Sequence, residues 1–438
     1  MEVVTFKKPV KVFILLVLLS LVIYLLYIKY YDRESVERIQ GRKPLASHSN
    51  ILSDPSHEQK LSINEDTCPQ RMLIEDIMRD HIPEELYRVA PEVFDNVPST
   101  FEAGLRSPCW RQRSDYKLLC LPSFFLAGVG KCGTTDIWNK IVEHPQIIRV
   151  VKEPRWWTRL RYGRPSKGNP HPVAKSFQYY VKLYEDLAQE ISDKRASGKR
   201  LISGDGSPSV YWDNIPWIRT LTKPCMNATI PPYVIADVIR IILPRTKVIT
   251  VFRNPTERLY SDYMYENRSL TKEYFHDIAM KSTKTVESCL VESSSRQECI
   301  FKVFSQIYEN GRKKPLGQNP LIKLFKGCYS MFITDWLRAF PRNQLMFLRL
   351  EDWHRDCSTI LPNIYRFLKL ESVPQNRIDE ICAAPQRNPT RTKESSGPML
   401  EETKQLLNKF YKPTRQELAD VLKDDRFLWN DSQDKSIQ

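Results

Sequence analysis

Residues 124–142 read FFLAGVGKCGTTDIWNKIV, and this stretch constrains the fold more than any other in the chain. A short apolar run passes into a turn holding Gly128, Gly130 and Gly133, and a helical pattern begins near Thr134. Apolar runs without polar alternation suit strands buried on both faces, and a tight exit into a helix is the βα half of a parallel-sheet unit. From Leu119 onward, short apolar runs alternate with helical patterns, which predicts an α/β chain with a doubly wound parallel sheet.

The turn has the chemistry of an anion cradle. Glycines allow backbone N–H groups to approach an anion, and a helix start adds oriented donors with partial positive charge. Lys131 adds a full charge and Thr134 and Thr135 add hydroxyls, so Lys131, Cys132, Gly133, Thr134 and Thr135 are the candidate phosphate-binding residues. The nucleoside-triphosphatase loop requires GxxxxGK[ST]; here the lysine precedes the last glycine, in GKCGTT, and no magnesium-binding hydroxyl follows it directly. A glycine-rich turn capped by threonine is the competing structural reading.

Further buried strands are predicted at Leu201 to Gly204, Lys247 to Phe252 and Leu345 to Leu350, beside Phe124 to Val129. Tyr233 to Leu243 carries helical spacing closed by Pro244, while residues 268–320 are polar and read as an irregular insertion. The run KVITVFRNPTERLYSDY, residues 247–263, puts Arg253 at a strand end and Ser261 on a helix opened by Pro255, close enough to share one phosphate.

These two segments resemble the 5′-phosphosulfate loop and the 3′-phosphate motif of sulfotransferases that use 3′-phosphoadenosine 5′-phosphosulfate (PAPS). Over roughly Leu119 to Trp429 the wording is similar to the Golgi carbohydrate sulfotransferases, in the N-acetylgalactosamine 4-sulfate 6-O-sulfotransferase branch. Further matches are KGCYSMFITDWLRAFPRNQLMFLRLEDW, residues 326–353, and the closing helix after Pro398 that ends in RFLWND. The resemblance implies the P-loop-like sulfotransferase fold, PAPS as co-substrate without a metal, and a nucleotide pocket partly closed by Gly327 and Tyr329. The acceptor it implies is a sulfated polysaccharide, a glycosaminoglycan of chondroitin or dermatan type sulfated on galactosamine.

Sulfuryl transfer needs in-line approach of a hydroxyl, a base, and positive charge at the leaving phosphate. Lys131 is the candidate for the charge, and Glu153, in HPQIIRVVKEPRWWT, for the base, as in related glycosaminoglycan sulfotransferases. A salt bridge to Lys152 or Arg155 is the structural alternative for Glu153; His144 is a competing base with a capping or packing alternative. Trp156 and Trp157 suit either core packing or stacking on a sugar ring. In GDGSPSVYW, Gly206 stands where heparan 3-O-sulfating relatives carry lysine, and Asp205 and Ser207 are possible substrate contacts. The pocket-closing loop near Arg391 and Lys393 matches loosely. Two rival functions are a lumenal nucleotide-dependent kinase, whose acidic magnesium ligands are not evident, and a non-catalytic polysaccharide-binding protein.

The N-terminus sets the expected location. Val12 to Ile28 is apolar or hydroxylic throughout, with Lys7, Lys8 and Lys11 before it and no small-residue cleavage site after it. The expected organisation is a cytoplasmic tail over 1–11, a transmembrane signal-anchor over 12–31, a polar stem over 32–67 and a lumenal sulfotransferase domain over 68–438, a type II Golgi membrane protein. Ten cysteines without paired CxxC spacing suit an oxidising lumen, with Cys289–Cys299 and Cys357–Cys382 as local disulfides and Cys68, Cys109, Cys120, Cys225 and Cys328 as further candidates. Sequons at Asn227, Asn267 and Asn430 suit glycosylation. Net charge of +14 and a pI near 9.2 suit a polyanionic partner, and the membrane segment and cysteine usage argue against nucleic acid.

Overall fold

The computed structural model of the chain describes residue 77 and residues 81–164, 173–214, 232–266, 271–292, 298–299, 308–309, 312–313, 321–386 and 397–430. The expected tail, anchor and stem, Cys68, Cys225, Asn227, Asn267, Arg391 and Lys393 lie outside these residues; Asn430 lies within them and is exposed. Among the described residues no helix is long and apolar enough to cross a membrane.

Four parallel strands form the central sheet: β1 (Phe124–Gly128), β2 (Gly204–Asp205), β3 (Lys247–Phe252) and β4 (Leu345–Arg349). Their spatial order is β2-β1-β3-β4. Every β1 residue is buried, as an apolar run on a sheet covered on both faces must be. Burying each of its large side chains contributes about 1.5–3 kcal/mol. The chain moves from β1 out to β2 and then back past β1 to β3. With right-handed crossovers, that reversal puts the connecting segments on opposite faces and opens a crevice at the carboxyl ends of β1 and β3.

Two segments lead into that crevice. After β1 the chain turns through residues 129–133 into the Thr134–Ile141 helix, whose Ile137, Trp138 and Ile141 are buried, Trp138 against Phe124 at 5.9 Å between ring centroids. After β3 comes Arg253 and then the Pro255–Glu266 helix, with proline at its first position, where a missing N–H costs nothing.

Some expectations are corrected. The 268–320 segment is not irregular throughout: Lys272–Glu292 is a helix whose Phe275, Ile278, Ala279 and Val286 recur at helical spacing and are buried. The strand expected at Leu201 to Gly204 begins only at Gly204. Disulfides link Cys289 with Cys299 and Cys357 with Cys382 as anticipated, and a third joins Cys109 to Cys120, directly opposite each other in the Cys109–Arg111/Leu118–Cys120 hairpin. Cys328, expected as a bridging candidate, is buried with its Sγ 3.8 Å from the Leu324 carbonyl and takes part in none of the three disulfides among the described residues.

Candidate functional site

Gly133 caps the Thr134–Ile141 helix in a left-handed conformation, φ 69°, and a Cβ there would overlap the Leu350 side chain; glycine is required on both counts. A Cβ on Gly130 would meet nothing within 4 Å, so the loop is open above this residue. Lys131 also has positive φ, 73°, and its Nζ lies over the Tyr265 ring at 4.1 Å from the centroid. Thr134 is buried and Thr135 half-buried at the helix start. Cys132 points inward, its Sγ 3.8 Å from the Tyr329 hydroxyl, and burial pushes its thiol up to about 12.

The second half-site lies one strand away. Arg253 Nη1 donates to the Lys131 carbonyl at 3.5 Å, and its Nη2 is 3.8 Å from Glu257. The Tyr329 hydroxyl donates to the Arg253 carbonyl at 2.8 Å, so Tyr329 braces both loops from behind. Gly327 is glycine for packing: a Cβ would press on Tyr411 at 2.9 Å and on Pro255 at 3.0 Å. Ser261 is buried, and its Oγ has no hydrogen-bond partner among the described residues. It shares a helix face with Tyr265 four residues on, the residue on which Lys131 rests. Lys131 and Arg253 therefore meet at the strand ends, and Ser261 lies one helical turn before the ring that Lys131 covers. A buried hydroxyl without a partner among the described residues, on the helix that follows Arg253, is a group that an anion would satisfy.

The third component is a turn at 153–155. Glu153 has φ 59° and Arg155 φ 52°; Glu153 precedes Pro154, where ordinary residues adopt extended φ. Lys152 and Arg155 both pair with the Glu153 carboxylate, Arg155 through Nε at 3.0 Å and through Nη2. Burial alone would raise this carboxyl, but the Lys152 and Arg155 charges outweigh it and hold it below the usual carboxylate range. Each carboxylate oxygen is engaged by one of these cations, Oε1 by Lys152 and Oε2 by Arg155, the salt bridge that the structural alternative expects, and the side chain keeps 21% exposure.

Other candidates separate from this region. The His144 ring lies edge-on to Tyr365, its Nε2 2.9 Å from the Glu371 carbonyl, and its Nδ1 accepts the Gln146 amide at 3.1 Å. Burial lowers its pKa, and both nitrogens are engaged in packing. Trp156 and Trp157 are wholly buried and pack on Tyr180, which places them in the core rather than under a sugar. Asp205 and Ser207 are buried too and bond within the protein, Asp205 accepting from the Tyr180 hydroxyl and Ser207 Oγ from the Arg155 amide. Gly206 lies against the Trp138 indole, where a Cβ would sit 2.8 Å from Cε3.

Sequence reasoning missed Tyr265, although its i+4 spacing from Ser261 marks it as a neighbour on the helix. It also missed Tyr211, whose amide donates to the Ala127 carbonyl at 2.9 Å and whose Cβ occupies the space beside Gly128. That contact has no local sequence signal.

The sulfotransferase domain family matches residues 121–413. Carbohydrate sulfotransferase 15 of Mus musculus is 31% identical over 351 residues, covering 76% of this chain and 59% of that protein. The membrane-associated sulfotransferase kil1 of Dictyostelium discoideum is 24% identical over 366 residues, covering 72% of this chain and 67% of that protein. A crystal structure of a sulfotransferase from Alicyclobacillus acidocaldarius aligns with a TM-score of 0.45 at 19% identity, covering 70% of this chain and 97% of the other. The chain thus matches about three fifths of the length of the first of these relatives.

Proposed function

The chain belongs to the sulfotransferase domain family, and on that premise we propose that it moves a sulfuryl group from PAPS to a hydroxyl of a glycosaminoglycan, on galactosamine of chondroitin or dermatan type. The observations that carry this reading are the junction at the β1/β3 crevice, where Arg253 touches the Lys131 carbonyl, and the buried Ser261 hydroxyl on the following helix, which has no partner among the described residues. Arg253 and Ser261 would hold the 3′-phosphate; the amides of 131–135 and Lys131 would hold the 5′-phosphosulfate. Glu153 takes the proton from the acceptor hydroxyl as its oxygen bonds to sulfur, and Lys131 stabilises charge on the departing phosphate oxygen.

The excess of basic residues favours a polyanionic acceptor, and the N-terminal apolar segment fits a type II Golgi anchor. The test is transfer of labelled sulfate from PAPS to a panel of desulfated and sulfated glycosaminoglycans, followed by disaccharide analysis. Label on galactosamine is the expected result; no transfer to any member would overturn the reading. Glu153→Gln should lose transfer while retaining binding of adenosine 3′,5′-bisphosphate (PAP), and a fully active variant would remove glutamate from the role of base.

A further inference from the structure

We infer that Ser207 is the positioning residue that holds the Glu153 turn in its left-handed conformation, an inference that rests on the reading of Glu153 as base. The turn carries positive φ at two non-glycine residues, one of them before a proline, and such geometry persists only where the surroundings enforce it. Ser207 supplies the restraint: the Arg155 amide donates to its Oγ at 2.9 Å. Ser207 is itself immobilised, its amide donating to Asp205 Oδ1 at 2.9 Å, and Asp205 Oδ2 accepts the Tyr180 hydroxyl at 2.8 Å. All three are buried. Gly206, pressed on Trp138, fixes the backbone between them.

The same segment grips the chain after the turn at two further points. Ser209 Oγ lies 2.8 Å from Thr158 Oγ, and Asp213 binds Arg164 Nη1 at 3.0 Å. Residues 207–213 therefore act as a comb along residues 155–164, and Ser207 is the tooth nearest Glu153. Because Tyr211 in this comb lies against Ala127 and Gly128, the base turn is registered to the phosphate strand. Ser207 touches neither reacting group in this arrangement; it acts through the backbone that aims Glu153.

The test compares Ser207→Ala, Ser207→Thr and Glu153→Gln, with all rates expressed per PAP-binding site so that misfolded molecules do not count. Ser207→Ala should lose tenfold or more in kcat, with PAP affinity and the KM for PAPS within twofold of the parent. Its acid limb in the kcat–pH profile should move, since Glu153 no longer keeps its place beside Lys152 and Arg155. Ser207→Thr, which keeps the acceptor oxygen, should restore most of the rate. A Ser207→Ala enzyme with parental kcat and acid limb, while Glu153→Gln is inactive, would overturn the positioning role alone. An active Glu153→Gln would instead overturn the reading of the base beneath it.

Discussion

The Tyr329 hydroxyl donates to the Arg253 carbonyl at 2.8 Å while also lying 3.8 Å from the Cys132 sulfur, so one buried phenol joins the glycine turn after β1 to the end of β3. Its ring packs on Phe252 at 4.7 Å between centroids, at the end of β3. The residue after β3 and the turn after β1 are thereby tied together by one side chain.

Tyr329→Phe removes this tie but keeps the ring. A buried carbonyl left without its donor costs about 1–3 kcal/mol. Urea unfolding should show a loss in that range, and calorimetric titration should show PAP binding weakened severalfold. Lost stability with unchanged PAP affinity would mean that the bond braces the fold without placing Arg253.

Ser261→Ala should separate a ligand contact from a structural one. The hydroxyl has no partner among the described residues, so its removal should leave the midpoint of thermal unfolding unchanged or slightly higher. A hydrogen bond to a charged phosphate is worth about 1.5–3 kcal/mol, so PAP affinity should fall by roughly tenfold or more. Adenosine 5′-phosphate, which lacks the 3′-phosphate, should bind as before. A variant that loses stability and keeps PAP affinity would place Ser261 outside the site.

The Glu153 carboxyl is held below its ordinary value of 4.5 by Lys152 and Arg155 acting against burial. The sign is that of a depressed acid: the ionised, proton-accepting form is present above the folded value and is lost only as pH falls through it. Activity should therefore stay level on going from neutral to mildly acid solution, with its acid limb below 4.5. Arg155→Ala removes one of the two cations, and the limb of its kcat–pH profile should move upward. An unmoved limb would assign the titration to another group.

Gly206→Ala tests the close approach to Trp138. The added Cβ would lie 2.8 Å from Cε3 and 2.9 Å from Cδ2 of an indole that is itself buried. Forcing a methyl group into such packing costs about 1–3 kcal/mol. Denaturant unfolding should show the loss, and a variant as stable as the parent would mean that the segment shifts freely.

How far the sequence carried is clearest at the two strand ends. Lys247 to Phe252 has the predicted bounds because it is a short apolar run between polar turns, and Pro255 starts its helix where a proline ring is tolerated. The glycine turn was equally legible, since Gly133 occupies a conformation that other residues avoid. By contrast, the helix at Lys272–Glu292 has sparse apolar residues among lysines and serines, which blurs its period. Burial of Trp156, Trp157, Asp205 and Ser207 arises from contacts between segments tens of residues apart, and no local pattern encodes those. Cys328 was grouped with the bridging cysteines because spacing alone cannot tell a thiol from half a disulfide; the chain at 328 simply brings no second sulfur to it among the described residues.

Cys132 sits in the middle of the glycine turn of a chain that closes three bridges elsewhere among the described residues. Exchange proceeds through the thiolate, and a thiol raised to about 12 by burial stays protonated at neutral pH. Once the loop has closed over this sulfur, oxidants and neighbouring disulfides have almost nothing to react with. Oxidative maturation of the rest of the chain can then run its course without scrambling the loop.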